Sequence, residues 1–449
     1  MSPPVHYSIN NMGMNNMPTT AIYLLSAVLQ SYGHKVTVLD NYYMRKFNPI
    51  EENVEVFLNF LVPYLKETEF IGISSNTLNW AMSKFVLSLI KKQVPDIPVV
   101  LGGLHPSYFL EYIMQSTECD FILSGEGEVT LPQLVRKVQI EGKDADFGDI
   151  DNLYWRCDGK IISNKSGRLL NLDVLENMPF PDYSQMPSGV YPIMPISTSR
   201  GCRFGCKFCS VPRKFNWLGY HEQYVINKIS KMWDQYHSKF SKQAIYFTDD
   251  CFTADSYRST NILSGVLNKD SNIESIILEA RANDLRSPIL LKQLQDERIK
   301  RIAIGVESGT NYGLMKINKG LTIEQLEQTL KYMEKYNIIS KGYFSFIIGF
   351  PWDTLETCMD TIEYAASILK RYGPKLVNLN WLILFPSQLW IEREKYGINL
   401  TESIFDDFYY ITNPHISRII RPNLKEYEIK YIQDRLMYYA DLGYSLQNG

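Results

Sequence analysis

The sequence predicts an α/β protein in which a parallel-sheet domain precedes a partial (β/α) barrel. Short apolar runs alternate with helical segments twice along the 449 residues, and an irregular stretch rich in proline separates the two series. One hydrophobic core rarely serves more than about 250–300 residues, so several domains are expected. We predict a sheet domain at residues 1–144, a linker at 145–190, a barrel at 191–390 and a small mixed C-terminal extension at 391–449.

The first series indicates a Rossmann- or flavodoxin-like sheet covered by helices on both faces. Its strands are apolar on both sides, as is typical of parallel sheets. The predicted strands are Val36–Asp40, Phe70–Ser75, Val99–Gly103 and Phe121–Ser124, and the predicted helices are Thr19–Tyr32, Glu52–Glu67, Ala81–Gln93 and Glu128–Glu141. No strand precedes the first helix, because the opening Ser2, Pro3 and Pro4 are loop-like. We therefore expect a truncated or mis-set start that lacks the first strand.

The second series contains six strand-like runs with helices between them, the pattern of a partial (β/α)6 barrel. Ligands are expected at the carboxyl ends of such strands. The predicted strands are Ile193–Thr198, Ala244–Thr248, Ser275–Glu279, Arg301–Val306, Gly342–Ile348 and Val377–Leu384, and the predicted helices include Tyr224–His237, Ile323–Tyr336, Leu355–Lys370 and, in the extension, Lys425–Gly443.

Composition and charge narrow the class of protein. Charged residues make up 21% of the chain and hydrophobic residues 45%, which is ordinary for a globular protein. The net charge of −3 argues against a nucleic-acid partner, which requires a basic face. No apolar run reaches the roughly 18–20 residues of a membrane span, and the start lacks the layout of a signal peptide. We expect a cytoplasmic protein with no membrane partner.

Three of the seven cysteines, Cys202, Cys206 and Cys209, have the spacing C-x3-C-x2-C just past the first predicted barrel strand. Closely spaced thiolates on one loop are typical ligands of iron–sulfur clusters. Three cysteines leave one iron of a [4Fe–4S] cluster without a protein ligand, and an open position is what catalysis needs. A zinc site would need a fourth ligand, which the local sequence does not offer. Free buried cysteines are the other alternative.

This triplet, on the loop after the first barrel strand, resembles the radical S-adenosylmethionine superfamily. Segments Tyr246–Phe252 (YFTDDCF), Ile304–Gly309 (IGVESG) and Phe346–Pro351 (FIIGFP) resemble motifs that follow later barrel strands of that superfamily. The resemblance implies that S-adenosylmethionine binds the open iron and is cleaved to a 5′-deoxyadenosyl radical. It also implies cofactor-binding roles for Thr248, Asp249, Asp250, Arg281, Glu307, Ser308 and Gly349.

Individual roles follow from charge and hydrogen-bonding capacity. The two aspartates could accept from the methionine ammonium through charge-assisted bonds. Glu307 could accept from ribose hydroxyls, and Arg281 could pair with the methionine carboxylate. The alternatives are a helix cap for the aspartates and a surface carboxylate for Glu307. Many relatives have Gly-Glu after the proline of the fifth-strand turn, whereas this chain has Trp352 and Asp353. No Gly-Gly-Glu follows the second strand.

A parallel α/β domain before such a barrel resembles the cobalamin-binding subfamily. The matching segments are Leu101–Pro106 (LGGLHP) and Ser124–Glu128 (SGEGE). Glycines there would let the backbone approach a flat ligand, at the edge where open α/β sheets bind ligands. The resemblance implies a cobalamin site formed by Asn76, Trp80, Gly102, Gly103, Ser124, Gly125 and Glu126.

Cobalamin enzymes with a histidine lower ligand carry the sequence D-x-H-x-x-G, which no histidine of this chain fits. His105 has Gly103 two positions before it, and we interpret His105 as a turn residue. The lower face of cobalt should therefore lack histidine and lie over the loop from Asn76 to Trp80.

The resemblance implies a methyltransferase for a small molecule or peptide, with a flavodoxin- or ferredoxin-type reductase as electron donor. Methylcobalamin would carry the methyl group, and the radical would activate the substrate. A ring-forming or ring-contracting enzyme, as in the anaerobic porphyrin cyclases, is the second hypothesis. A methylthiotransferase would need further N-terminal cysteines, and only Cys119 and Cys157 precede the triplet. A cobalamin-dependent sensor with a degenerate barrel is the hypothesis from another class.

Overall fold

The computed structural model shows two compact units. The first comprises the described residues of Met1–Tyr191 and Leu400–Thr412, and the second those of Pro192–Asn399 and Asn413–Gly449. The predicted α/β fold class is confirmed, with a mixed sheet in the first unit and a parallel sheet in the second. The proposed domain limits stay a prediction. The structure describes residues 1–3, 17–211, 216–269, 272–374 and 376–441.

The described part of the first unit contains a five-stranded sheet in the order β1-β2-β3-β4-β5. Strands β1 (Ile71–Ser74), β2 (Val99–Gly102) and β3 (Phe121–Leu123) are parallel, as predicted. Strands β4 (Leu153–Cys157) and β5 (Lys160–Ser163) are antiparallel and extend the sheet from β3. They lie in the stretch interpreted from sequence as an irregular linker, and that interpretation is wrong for these residues.

A turn and a buried aromatic explain this hairpin. Asp158 and Gly159 both have positive φ, which suits the two-residue turns that match the twist of antiparallel strands. Trp155 of β4 is 4% exposed and packs edge-on against Phe147 in the core of the unit. The Asp-Gly pair is therefore a local sequence signal for this hairpin.

The predicted helices of the first unit are confirmed, with ends shifted by one or two residues, as is usual at helix termini. Apolar residues of α7, among them Leu134 and Val135, pack into the same core as β3. The helices are α1 (Thr20–Ser31), α2 (Asn41–Arg45), α3 (Val54–Leu65), α4 (Trp80–Gln93), α5 (Leu104–Tyr108), α6 (Leu110–Ser116), α7 (Gly127–Glu141) and α8 (Leu172–Glu176).

The predicted strand Val36–Asp40 does not pair with a strand in the described residues. Its backbone groups are bound in other ways. The carboxamide of Gln185 donates to the carbonyl of Val36 at 2.8 Å and accepts from the amide of Val38 at 2.9 Å. The amide of Ser2 donates to the carbonyl of Leu39 at 2.9 Å. A strand in a sheet requires a continuous row of hydrogen bonds to the backbone of a neighbouring strand. Here the side chain of Gln185 and the backbone of Ser2 make hydrogen bonds to this segment instead.

In the described part of the second unit, six parallel strands follow one another in sequence order, as in a partial barrel. A short two-stranded ribbon, β7 (Ser199–Arg200) with β8 (Leu218–Gly219), lies outside that sheet. The sheet strands are β6 (Met194–Ile196), β9 (Ala244–Phe247), β10 (Ser275–Arg281), β11 (Ile299–Glu307), β12 (Gly342–Ile348) and β13 (Leu376–Trp381).

Two of the described helices of the second unit begin at capping boxes. Thr322 with Gln325, and Thr354 with Thr357, form capping boxes at the starts of α13 and α14. The helices are α9 (Glu222–Tyr236), α10 (Ser256–Asn268), α11 (Pro288–Gln293), α12 (Asn311–Lys316), α13 (Ile323–Lys335), α14 (Leu355–Tyr372), α15 (Gln388–Ile391), α16 (Pro414–Ile420) and α17 (Glu426–Asp441).

Burial alternates along the central strands of the barrel-like sheet. In β10, β11 and β12 alternate side chains are buried, and those between them are largely half-exposed. Because successive side chains point to opposite faces of a strand, one face of this sheet is buried and the other is partly open to solvent. Among the described helices, none is long and apolar enough to cross a membrane.

Candidate functional site

The cysteine triplet lies on a loop that begins where β6 ends, at the carboxyl end of the first barrel strand. Cys206 is 7% exposed, while Cys202 and Cys209 are half-buried, and all three are free thiols. The amide of Cys209 donates to the carbonyl of Cys206 at 3.3 Å, which curls the loop into a turn. Burial raises the pKa of Cys202, and the charge of Arg281 opposes that shift.

Asp249 anchors the start of this loop. Its carboxylate, 2% exposed, accepts from the amide of Thr198 at 3.1 Å, from the Thr198 hydroxyl at 2.8 Å and from the Ser199 hydroxyl. Burial raises the pKa of Asp249, and these donors counteract the shift. Asp249 is thus engaged by the protein, and its predicted contact with S-adenosylmethionine stays a prediction.

Arg258 also binds Thr198, through the carbonyl of that residue. Its Nη2 donates to the carbonyl of Thr198, and its Nε donates to the carbonyl of Tyr220 at 2.8 Å. Arg258 comes from α10 and is 7% exposed. Sequence reasoning missed this residue, since no motif marks it.

Asp250 and Thr248 differ from Asp249 because both are exposed. The protein around Asp250 still desolvates it on its covered sides, and the neighbouring Asp249 adds repulsion, so that the pKa of Asp250 rises to about 6. Thr248 donates from its amide to the carbonyl of Ile196 at 2.8 Å, which continues the pairing of β9 with β6. Of these predicted residues, Asp250 and Thr248 remain accessible to a ligand.

Arg281 lies at the carboxyl end of β10 and contacts the cysteine loop directly. Its guanidinium stacks on the ring of Phe204 at 3.5 Å, and Nη1 lies 3.6 Å from Sγ of Cys206. Its Nη2 donates to the carbonyl of Lys319. The side chain is 8% exposed, and its Nε has no hydrogen-bond partner among the described residues. The predicted pairing with a ligand carboxylate stays a prediction, with Nε as the available donor.

Glu307 ends β11 in a strained conformation. Its φ of +76° lies in the left-handed region, and the pairing of β11 with β12 shifts register at this point. Its Oε1 accepts from Nζ of Lys319 at 2.9 Å, in an ion pair whose side chains are 10% and 7% exposed. Gly305 makes room for this arrangement, because a Cβ there would collide with the Glu307 carboxylate. Non-glycine residues with positive φ often mark functional sites.

Ser308 and Gly349 are structural in this fold. The hydroxyl of Ser308 accepts from the amide of Thr310 at 3.3 Å, in the turn before α12. Gly349 has a φ of +77°, and a Cβ there would lie 2.5 Å from Arg421 and 2.7 Å from Trp381. Their predicted cofactor contacts stay predictions.

The structure explains the role of Asp353, which with Trp352 stands where many members of the superfamily have Gly-Glu. Asp353 accepts from the amides of Gly349 at 2.9 Å and Phe350 at 3.0 Å, and its burial raises its pKa to about 6. The carboxylate of Asp353 thus stabilises the turn that follows β12 by binding its backbone amides.

In the first unit, the carboxyl edge of the sheet exposes Asn76 and Gly125 and half-exposes Gly102, Gly103 and Ser124. A Cβ on Gly125 would meet nothing within 4 Å, so the backbone there faces open space. Gly103 is different, because a Cβ there would lie 2.5 Å from the carbonyl oxygen of Ser75. Gly103 therefore serves the packing of β2 against β1.

Other polar groups at this edge are already engaged. Glu126 accepts from the amide of Leu170 at 2.8 Å, and Asn76 caps the turn before α4. These contacts leave the predicted roles of Gly102, Ser124, Gly125, Glu126 and Asn76 as predictions.

Trp80 and His105 lie beneath this edge, not on it. Both are 0% exposed, and their rings stack with centroids 4.7 Å apart. The indole of Trp80 donates to Asp406 at 2.8 Å, and Asp406 also accepts from Lys84 at 2.6 Å and from Tyr112. Trp80 is thus engaged inside the protein, and its predicted contact with a bound corrin stays a prediction.

His105 lies within the short helix α5, so its interpretation as a turn residue is wrong, and its side chain is buried. Nδ1 of His105 lies 3.2 Å from the hydroxyl of Thr77, and its ring packs against Trp80, Phe109 and Phe405. Burial lowers the pKa of His105 to about 3, so that it is neutral at physiological pH. A buried neutral imidazole inside an aromatic cluster is not available to a metal at the sheet edge.

The described residues contain no three histidine, cysteine, aspartate or glutamate side chains that converge on one metal ion. An iron–sulfur cluster does not require such convergence, because its cysteines bind different irons. Its donor set is thiolate, and three thiols on one loop meet that requirement. The residues present therefore fit a cluster with one open iron, and at the sheet edge the backbone of Gly125 is open to the approach of a ligand.

Comparisons with known proteins match two family models to separate parts of the chain. The Radical SAM superfamily model matches residues 196–365, and the B12 binding domain model matches residues 14–135. The chain is 28% identical to an uncharacterized methyltransferase, PH0819, of Pyrococcus horikoshii, over 82% of this chain and 77% of that protein. It is 23% identical to an anaerobic magnesium-protoporphyrin IX monomethyl ester cyclase of Rubrivivax gelatinosus, over 77% of this chain and 61% of that protein.

Among solved structures, the radical S-adenosylmethionine methyltransferase TsrM of Kitasatospora setae, with cobalamin and a [4Fe–4S] cluster bound, is similar in fold. The TM-score is 0.65 at 15% identity, over 90% of this chain and 75% of that one.

Proposed function

We propose that this chain, which belongs to the radical S-adenosylmethionine superfamily and carries a B12-binding domain, is a cobalamin-dependent methyltransferase. The observation that carries the proposal is the C-x3-C-x2-C loop, anchored by Asp249 and contacted by Arg281 at the carboxyl end of the barrel strands. The similarity to a methyltransferase of Pyrococcus horikoshii favours methyl transfer. The substrate class that we propose is a small molecule or peptide.

Cys202, Cys206 and Cys209 would hold the cluster and leave one iron open for S-adenosylmethionine. When bound, the cluster supplies the electron that cleaves S-adenosylmethionine, and cobalamin carries the methyl group. A flavodoxin- or ferredoxin-type reductase would deliver that electron.

The chain's own residues bind and orient the ligands. Asp250 is exposed and can accept from the methionine ammonium, and Nε of Arg281 can donate to the methionine carboxylate. Glu307 is held in place by Lys319 and can accept from ribose hydroxyls. In the first unit, Asn76 and Gly125 line the open edge where a corrin would lie.

A ring-forming enzyme is the second candidate, and the similarity to the cyclase of Rubrivivax gelatinosus favours it. A sensor with a degenerate barrel is less well supported, because the loop anchors and the Glu307–Lys319 ion pair are intact. Both enzyme hypotheses require the same cleavage of S-adenosylmethionine.

Anaerobic reconstitution with iron, sulfide and cobalamin tests the proposal. We expect the protein to retain cobalamin after gel filtration and to form 5′-deoxyadenosine from S-adenosylmethionine under reducing conditions. Methylated product from a candidate substrate distinguishes methyl transfer from ring formation. Retained cobalamin without deoxyadenosine would instead support the sensor hypothesis.

The lower face of cobalt gives a separate prediction. We expect the electron paramagnetic resonance spectrum of bound Co(II) cobalamin to show no nitrogen superfine splitting from a histidine, because His105 is buried among aromatic rings. His105→Ala should leave that spectrum unchanged. Nitrogen splitting that disappears in His105→Ala would contradict the histidine-free site.

A further inference from the structure

We infer that the segment Ile317–Gly320 is a positioning segment that joins the Glu307 site to the cysteine loop, with Lys319 as its charged centre. The segment follows α12, and no motif noted in the sequence falls on it. The inference rests on the proposed function, because it concerns how S-adenosylmethionine and the cluster would be held together.

Two hydrogen bonds connect the segment to the cysteine loop. The carbonyl of Ile317 accepts from the amide of Lys207 at 3.0 Å, and Nδ2 of Asn318 donates to the carbonyl of Gly205 at 3.1 Å. Gly205 and Lys207 are the residues on either side of Cys206. Asn318 has a φ of +56°, a conformation that asparagine tolerates better than most residues. The segment therefore fixes the backbone on both sides of a cluster cysteine.

Lys319 connects the same segment to two predicted ligand-binding residues. Its ammonium pairs with Oε1 of Glu307, and its carbonyl accepts from Nη2 of Arg281. Arg281 in turn reaches Sγ of Cys206 through Nη1. One short segment thus contacts the residue predicted to hold the ribose, the residue predicted to hold the methionine carboxylate and the cysteine loop.

The ion pair decides how Glu307 can bind a ligand. Both side chains are at least nine-tenths buried, and a buried carboxylate without a partner is strongly destabilised in its charged form. Lys319 therefore fixes the orientation of the Glu307 carboxylate, whose backbone is strained. In the described residues only Oε1 of Glu307 is engaged, which leaves Oε2 for the hydroxyl of a ligand. Lys319 is accordingly a positioning residue and not a catalytic one.

The test compares variants of the full chain after anaerobic reconstitution. Lys319→Met should retain iron but bind S-adenosylmethionine about tenfold more weakly, the loss expected for one charge-assisted hydrogen bond. Lys319→Arg should restore most of that affinity, because arginine keeps the charge. The affinity is measured by equilibrium dialysis with S-adenosylmethionine itself.

Asn318→Gly tests the contact with the cysteine loop. Glycine keeps the left-handed backbone and removes only the bond to Gly205. We expect an altered electron paramagnetic resonance spectrum of the reduced cluster before S-adenosylmethionine is added. Asn337→Gly is the matched control, because Asn337 has a φ of +55° and lies after α13. Its spectrum should equal that of the wild type.

If Lys319→Met does not fold, the double variant Lys319→Met/Glu307→Gln removes both charges of the pair and should fold with the same weak affinity. Wild-type affinity in the variants that remove the Lys319 charge, or a wild-type spectrum in Asn318→Gly, would overturn the inference. A wild-type protein that holds the cluster but does not bind S-adenosylmethionine would contradict the proposed function itself.

Discussion

Replacing Cys202, Cys206 or Cys209 with alanine is expected to remove the iron–sulfur absorbance and 5′-deoxyadenosine formation. Each thiol lies on the one loop after β6, so the loss of any one opens a second coordination position. The loss of activity should exceed the roughly 100-fold that removal of an outer-shell partner costs a metal site. Ultraviolet–visible spectra and iron content after anaerobic reconstitution are the measurements.

Cys358→Ala is the matched control for these variants. Cys358 is also a buried free thiol, but it lies in α14, where its Sγ is 3.9 Å from Oδ2 of Asp353. We expect this variant to keep its absorbance and iron. An equal loss in Cys358→Ala would contradict the three-ligand assignment, and zinc in place of iron would favour the alternative that the sequence left open.

Asp249→Ala is expected to destabilise the protein and to lower cluster loading. The change leaves the amide and hydroxyl of Thr198 and the hydroxyl of Ser199 without their acceptor in a buried site. Unsatisfied buried donors cost about 1–3 kcal/mol each, so a loss of about 2–4 kcal/mol of unfolding free energy is reasonable after partial relaxation. Thermal unfolding and iron content measure the two effects.

Asp250→Ala should behave differently, because Asp250 is exposed beside the same loop. We expect its thermal stability and iron content to match the wild type, while S-adenosylmethionine binds about tenfold more weakly through loss of a charge-assisted bond. The two neighbouring aspartates thus have separable roles. If Asp249→Ala has the same thermal stability and iron content as the wild type, Asp249 does not anchor the loop.

The sequence by itself determined the class of fold and the position of the cluster loop. The strands of the barrel were predictable because their apolar runs have a period of two and are separated by helices with a period of 3.6. The spacing of Cys202, Cys206 and Cys209 is a local feature, since one loop carries all three predicted ligands. The Asp158-Gly159 turn was equally local, and its hairpin was missed although the signal was present.

Only the tertiary structure decided which polar side chains are bound by other residues of the protein and which are exposed. Asp249 finds its donors in Thr198 and Ser199, about fifty residues earlier, and Trp80 finds Asp406 more than three hundred residues later. A sequence motif shows which residue type stands at the end of a strand. It does not show which distant residue the fold places in contact with it. The role of Lys319 could not be predicted for the same reason. A lysine in a loop is usually exposed to solvent, and only the fold brings Lys319 into a buried ion pair with Glu307.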